Sequence, residues 1–346
     1  MKIGVFDSGL GGLVITRSFI NTLPEYDYVY YGDTKHLPYG EKTSGRILNY
    51  TLEAVKFLIA QDCALIIIAC NTATSIALRY IQQRFIPVYA PSVKVLGVVI
   101  PTVEKALETH AAGVGVIATN ATVRSHIYRT ELHKICPELA VWEIAAPQLV
   151  PAIEGNDFAS AERLAKEYAA QFDSVDSLIL GCTHYPLVKE YFRRYLPSNV
   201  RVVSQDELMG DKLKDYLRRH AEIETRLDKN RCYQFGVSRL NKHYRQLADM
   251  LFPGIDVAEY KKETGSFSLK ESSFTVFSNV SLSICIPMLA KEELQDLAKD
   301  SVKSTFPWRD NGGGCRGNAV FFCDSPEPFS QRLKMLLPFL NVAFHS

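Results

Sequence analysis

The run Ala64–Ala69 (ALIIIA) constrains this chain more than any other stretch. It has no polar residue on either face, so as a strand it must be covered on both sides. That is the situation of an interior strand in a parallel sheet. The neighbouring sequence repeats a strand–loop–helix order. Lys2–Phe6 reads as a strand, Asp7–Gly12 as a loop and Leu13–Leu23 as a helix. Tyr28–Tyr31 reads as a second strand running into Gly32–Gly40, and helical periodicity follows over Thr43–Ala60. Beyond Cys70-Asn71-Thr72 a helix is expected near Ala73–Arg84. A second cycle starts near Gly97, with strands at Gly113–Ala118 and Ser177–Leu180, a helix opening at Thr119–Thr122 and another from Leu187. The alternation predicts an α/β fold with doubly wound parallel sheets.

A chain of 346 residues exceeds the usual single-domain size, so two domains are expected. With 47% apolar and 22% charged residues, the composition is that of a soluble globular protein. A formal charge of +1 points to neither a nucleic-acid nor a membrane partner. The start, MKIGVFDSGLGG, lacks the form of a secretory leader, and no apolar run approaches the ~18 residues of a membrane span. The cysteines (Cys63, Cys70, Cys136, Cys182, Cys232, Cys285, Cys315 and Cys323) are scattered, without a CxxC pair. Free thiols in a reducing cytoplasm are expected, rather than a disulfide framework or a metal site. From about Lys261 the alternation stops. FSLKESSF, VSLSICIPML, a charged helical piece near Lys291–Lys303 and a flexible loop at Gly312–Gly314 suggest an irregular appended segment, 261–346, whose role is not legible.

In open parallel sheets ligands bind beyond the carboxyl ends of the strands. Polar clusters stand at such ends here: Asp7-Ser8-Gly9, Pro38-Tyr39-Gly40, Cys70-Asn71-Thr72 and Cys182-Thr183-His184. IIIACNTA (66–73) and LILGCTHY (178–185) share one design, an apolar strand ending in a cysteine and a polar neighbour. If the two halves face each other, Cys70 and Cys182 approach one cleft from opposite sides. Each precedes an expected helix N-terminus, where unpaired amides and the helix dipole favour a thiolate. The alternative for a single cysteine is inert packing as a small hydrophobe; two in matched contexts argue for chemistry. Opposed thiols suit inversion at carbon, one removing a proton from one face while the other returns one to the far face. Proton transfer by a positioned group supplies about 10²–10⁴-fold, and the rest must come from stabilising a carbanion. Asn71, Thr72 and Thr183 are suitable hydrogen-bond donors for that purpose. Asp7 is expected to receive a substrate ammonium or orient a proton acceptor, its alternative being a turn carboxylate that satisfies loop amides. Ser8 and the glycines Gly9, Gly11 and Gly12 let amides approach an anion. His184 could hold a proton or polarise Cys182, and Glu154 in QLVPAIEG is a further candidate.

DSGLGGL (7–13), YYGDTKHLPYG (30–40), ACNTA (69–73) and GCTHYPL (181–187) resemble the glutamate racemase family of the aspartate/glutamate racemase superfamily. The resemblance covers about residues 1–260. It implies two flavodoxin-like domains in pseudo-symmetric arrangement with the active site between them, the first from 1–97 completed by 210–260, the second 98–209. It implies a cofactor-independent mechanism in which Cys70 deprotonates D-glutamate and Cys182 deprotonates L-glutamate. Asp7, Ser8, Tyr39, Gly40, Asn71, Thr72, Thr183 and His184 match positions that bind substrate or assist the thiols. Thr119 and Thr122 match a hydroxyl pair lining the pocket, and Glu154 matches a carboxylate beside the second cysteine. The implied role is supply of D-glutamate for peptidoglycan, and a homodimer is expected by analogy. Ala146 stands where members often carry Cys, Lys35 and His36 replace a small residue and an Arg, and the tail has no counterpart. Two other readings stay open: the same chemistry on aspartate, and a non-catalytic interaction protein that keeps the fold. A redox sensor is disfavoured because neither cysteine has a resolving partner at CxxC spacing.

Overall fold

The computed structural model describes residues 1–108, 112–172, 174–251, 254, 256–260, 302–309 and 316–323. The chain divides into two compact units, Met1–Lys261 and Lys262–Ser346. The first unit holds two sheets. Strands β1 (Lys2–Asp7), β2 (Tyr28–Gly32), β3 (Cys63–Ile68), β4 (Lys94–Gly97), β9 (Tyr233–Val237) and β10 (Val257–Glu259) form one, in the order β10-β9-β2-β1-β3-β4. Strands β5 (Gly113–Ala118), β6 (Ala140–Ala145), β7 (Ser177–Gly181) and β8 (Arg201–Val203) form the other, in the order β6-β5-β7-β8. Every pairing in both sheets is parallel. The order β2-β1-β3-β4 in one sheet and β6-β5-β7-β8 in the other is the same winding, so the two halves are pseudo-symmetric α/β layers. In each, the winding reverses direction between its first and third strands, the crevice where open sheets bind ligands. Asp7 ends β1 and Cys70 follows β3 in one half; Thr119 follows β5 and Cys182 follows β7 in the other.

The apolar run behaves as its pattern requires, for every residue of β3 is buried. One apolar cluster runs from Ile3, Val5 and Leu65 through Val98 and Val103 to Val114, Val116 and Ile179, so both sheets share a continuous core. Helix α1 (Gly12–Thr22) buries Leu13, Ile15 and Phe19 against it. Helix α2 (Ser44–Ala60) buries Ile47, Val55 and Leu58.

Helix α3 (Asn71–Tyr80) starts two residues before the expected Ala73, because Cys70 itself caps it: Cys70 Sγ accepts from the Ala73 amide at 3.4 Å. It stops short of Arg84 and widens into a π turn over Ile81–Phe85 before the short helix Ile86–Tyr89. Pro87 has no N–H to offer the Gln83 carbonyl and its ring crowds it, which accounts for the interruption. The helix expected from Leu187 is a 3₁₀ turn, Tyr185–Val188, followed by Lys189–Tyr195.

In the second unit, Val302–Arg309 pairs antiparallel with Arg316–Cys323, so the appended segment is not wholly irregular. Of the charged helical piece expected near Lys291–Lys303, Val302 and Lys303 begin this strand and the rest lies outside the described residues. FSLKESSF, VSLSICIPML and the Gly312–Gly314 loop also lie outside them. No helix among the described residues is long and apolar enough to cross a membrane.

Candidate active site

A cavity of about 140 Å³ opens where the two crevices meet, and both Cys70 and Cys182 line it. Ser8, Tyr39, Gly40, Asn71, Thr72, Thr119, Thr183 and His184 share the lining, with an apolar wall of Leu37, Pro38, Ala146, Pro147, Val150 and Pro151. Neither Lys nor Arg is among the lining residues. An anion in this cavity must therefore be held by hydroxyls, amides and His184. No cluster able to hold a metal ion occurs among the described residues.

Cys70 is 4% exposed. Its sulfur lies 3.4 Å from Ser8 Oγ, to which the thiol donates. Burial and the nearby Asp7 carboxylate push this thiol up to about 12, against the pull of Ser8 and the Ala73 amide. The expectation of a helix-favoured thiolate thus fails at Cys70 although the helix is present, because desolvation and a neighbouring negative charge outweigh one amide. Cys182 does not precede a helix N-terminus, for the residues after it form only the short 3₁₀ turn that begins at Tyr185. Its partner is His184 instead, with Nδ1 3.8 Å from the sulfur and Nε2 3.0 Å from Glu154 Oε1. Burial opposes the charged imidazole, but the hydrogen bonds and charges of Cys182 and Glu154 prevail and hold His184 well above its ordinary value. Glu154 is no solvated surface carboxylate, at 16% side-chain exposure. It stands behind His184 and is not part of the cavity lining.

Asp7 is fully buried and likewise stands behind the lining. Its Oδ2 accepts from the Gly9 and Gly12 amides at 3.1 and 3.0 Å, and its Oδ1 accepts from Thr183 Oγ at 3.1 Å. The carboxylate thereby shapes the glycine loop and seats Thr183 from behind the cavity wall. Burial pushes its carboxyl above the ordinary range, against the pull of His184 and the loop amides. Tyr39 offers its ring, since its hydroxyl donates to Asp33 Oδ2 at 2.7 Å. Thr122 is behind the lining and completes a hydroxyl triangle: Thr72–Thr119 2.8 Å, Thr119–Thr122 3.0 Å and Thr72–Thr122 3.2 Å. The triangle joins the two halves. So does close packing at two glycines, where an added Cβ would lie 2.7 Å from His184 Nδ1 (Gly11) or 2.7 Å from Thr119 Cβ (Gly40).

Sequence reasoning missed two features. The apolar wall at Ala146–Pro151 follows β6, so the rule that singled out the other strand ends applied there too, but without charged residues to draw notice. Gln205, fully buried, hydrogen-bonds to Asn71 from the far half. Its only signal is a polar SQD directly after the apolar end of β8.

A family profile described as Asp/Glu/Hydantoin racemase matches residues 22–205. A glutamate racemase of Synechocystis sp. is 38% identical over 206 residues, spanning 58% of this chain and 71% of its own. The crystal structure of a glutamate racemase isoform from Bacillus anthracis superposes with a TM-score of 0.68 at 28% identity, covering 76% of this chain and 97% of that one. That of the Francisella tularensis glutamate racemase in complex with D-glutamate gives 0.67 at 32% identity, with 75% and 97% covered.

Proposed function

The chain belongs to the Asp/Glu/hydantoin racemase family, and on that premise we propose that it interconverts L- and D-glutamate by proton transfer between Cys70 and Cys182 without a cofactor. The observation that carries this reading is that two buried cysteines, at corresponding places after β3 and β7, line one cavity. A thiolate on one side removes the α-proton while a thiol on the other returns one to the opposite face, and the roles exchange for the reverse reaction. The two surroundings favour opposite starting states. Cys70 is held as a thiol by burial and Asp7, whereas the protonated His184 is a counter-ion within reach of a thiolate at Cys182.

L-glutamate is then deprotonated at Cys182 and reprotonated by Cys70. D-glutamate needs the complementary state, in which the Ser8 hydroxyl and the Ala73 amide turn to the Cys70 thiolate. Carbanion charge spreads into the α-carboxylate, where hydroxyls of Thr72 and Thr119, the Asn71 side-chain amide and nearby backbone amides supply hydrogen bonds. The product serves peptidoglycan synthesis in this reading.

The test is racemisation by Cys70→Ser and Cys182→Ser, measured separately by circular dichroism on each enantiomer. Enantiomers have equal free energy in water, so kcat/KM must fall equally in both directions, by at least the roughly 10²–10⁴ of a positioned proton-transfer group. Undiminished turnover in either variant ends the two-thiol proposal. Comparing kcat/KM for glutamate and aspartate tests the substrate. One methylene is worth about 10–200-fold in a fitted pocket, and a preference for aspartate would reverse the assignment.

A further inference from the structure

Asn71 directly follows Cys70 and lines the cavity, yet its amide is engaged in the protein interior. Its Nδ2 donates to Gln205 Oε1 at 2.9 Å, and its Oδ1 accepts from Gln205 Nε2 at 2.9 Å and from Tyr128 Oη at 2.6 Å. Gln205 Nε2 also reaches Thr102 Oγ at 3.1 Å. Gln205, Tyr128 and Thr102 are all fully buried.

The hydrogen directions in this network follow from two fixed points. Thr102 donates its hydroxyl proton to the Val98 carbonyl at 2.6 Å, so its oxygen can only accept from Gln205. Tyr128 donates its hydroxyl proton to Asn71 Oδ1. Gln205 Nε2 donates to the Asn71 and Thr102 oxygens, with Tyr128 Oη a longer third contact at 3.3 Å, and its oxygen receives the Asn71 amide. Asn71 cannot turn over alone without setting like against like at both of its contacts with Gln205. One of its two N–H groups is used on Gln205, which leaves one for a ligand of the cavity that Asn71 lines.

We propose that Gln205 is a positioning residue for the reaction: its paired amide contacts lock Asn71 so that nitrogen, not carbonyl oxygen, is offered to a substrate carboxylate beside Cys70. Gln205 follows β8 and Asn71 follows β3, so a residue of one half orients a donor of the other. The reversed amide would present a lone pair to an anion in a cavity whose lining holds neither Lys nor Arg. The inference rests on the amino-acid substrate proposed above. If the unmodified protein fails to racemise glutamate, that reading fails; an active protein with unperturbed variants refutes only the role of Gln205.

The experiment uses the full chain and four variants: Gln205→Met, Asn71→Ala, their combination, and Tyr128→Phe. A contact made equally in ground and transition states appears in KM. Gln205→Met is expected to raise KM for glutamate about tenfold, the worth of a hydrogen bond to a charged group, with kcat changed less than about twofold. Asn71→Ala is expected to do the same, and the double variant to match Asn71→Ala alone, because the lock has nothing left to hold. A purely structural Gln205 would instead lower Tm and reduce activity further in the Asn71→Ala background. Tyr128→Phe removes the other donor to the same oxygen while keeping the ring, and is expected to raise KM about threefold. It carries the test if Gln205→Met does not fold. Unchanged KM in a folded Gln205→Met or, failing that, Tyr128→Phe, or effects that multiply in the double variant, would overturn the proposal.

Discussion

The two cysteines occupy matching places in a repeated winding and yet sit in unlike surroundings. Around Cys70 stand a serine hydroxyl, a helix amide and a buried carboxylate, and the thiol is pushed up to about 12. Around Cys182 stands the His184 imidazole, whose pKa is raised, against the opposing effect of burial, by Cys182 itself and by Glu154. Fold symmetry thus sets where the sulfurs are, and the local residues make their surroundings unequal. A reaction that needs one acid and one base at a time requires that inequality, which two identical sites would lack.

The largest expected effect from breaking the comparison is at His184. His184→Asn keeps a polar side chain but removes the cation, and kcat/KM should fall about 10²-fold, the low end for a positioned proton-transfer group. The loss must be equal in both directions, but its isotopic signature is not. A barrier raised on the Cys182 side makes proton removal from L-glutamate more rate-limiting, so the substrate deuterium effect should grow with L-[2-²H]glutamate and not with the D-isomer. Growth with the D-isomer would exchange the proposed roles of the two cysteines.

Gly11→Ala comes next. Its Cβ would stand 2.7 Å from His184 Nδ1 and 2.8 Å from Thr183 Oγ, so it displaces both on the Cys182 side alone. About tenfold loss of kcat/KM with the same isotopic bias is expected, since small misplacements in a site are costly. Glu154→Gln should act through pH. The raised pKa of His184 keeps the cation present at neutral pH, and it is lost as pH rises through that pKa. Removing the carboxylate lowers that pKa, so the alkaline limb of the kcat/KM profile should move to lower pH, with about threefold loss at neutrality. An unmoved limb would show that Glu154 does not hold the proton on His184.

The smallest effect is expected at Ser8, where Ala removes one hydroxyl that eases ionisation of Cys70. A two- to threefold fall, about the worth of one neutral hydrogen bond, should appear with the larger isotope effect on the D-isomer. Without substrate, alkylation by iodoacetamide followed by peptide mapping should label Cys182 ahead of Cys70 at neutral pH, because the reagent attacks thiolate. Both sulfurs are nearly equally buried, at 6% and 4% exposure, so burial alone would not produce that order.

The strand ends were legible because their signal is local: an apolar run long enough for a strand, cut off by polar or glycine residues. That located Asp7, Cys70, Thr119 and Cys182 on crevice edges. What was not legible depends on partners distant in sequence. Asp7 reads as a free carboxylate until Thr183 and the Gly12 amide are seen to claim it. Asn71 reads as a free donor until Gln205 is seen to hold its amide. Glu154 reads only as a candidate until its contact with His184 gives it a partner. Periodicity alone cannot separate a helix N-terminus after Cys182 from the 3₁₀ turn containing Pro186 that is found there. The early start of α3 was hidden for the opposite reason, since a cysteine is an uncommon cap.

The common winding of the two sheets bears on the handedness of what they hold. Mirror-image molecules ordinarily fit a chiral pocket unequally, and a pocket built around one hand would trap it and starve the return journey. Two copies of one crevice, joined across a shared hydroxyl triangle, instead bring a sulfur from each copy to a single cavity. A duplicated architecture is thus a direct route to a catalyst whose substrate and product are reflections of one another.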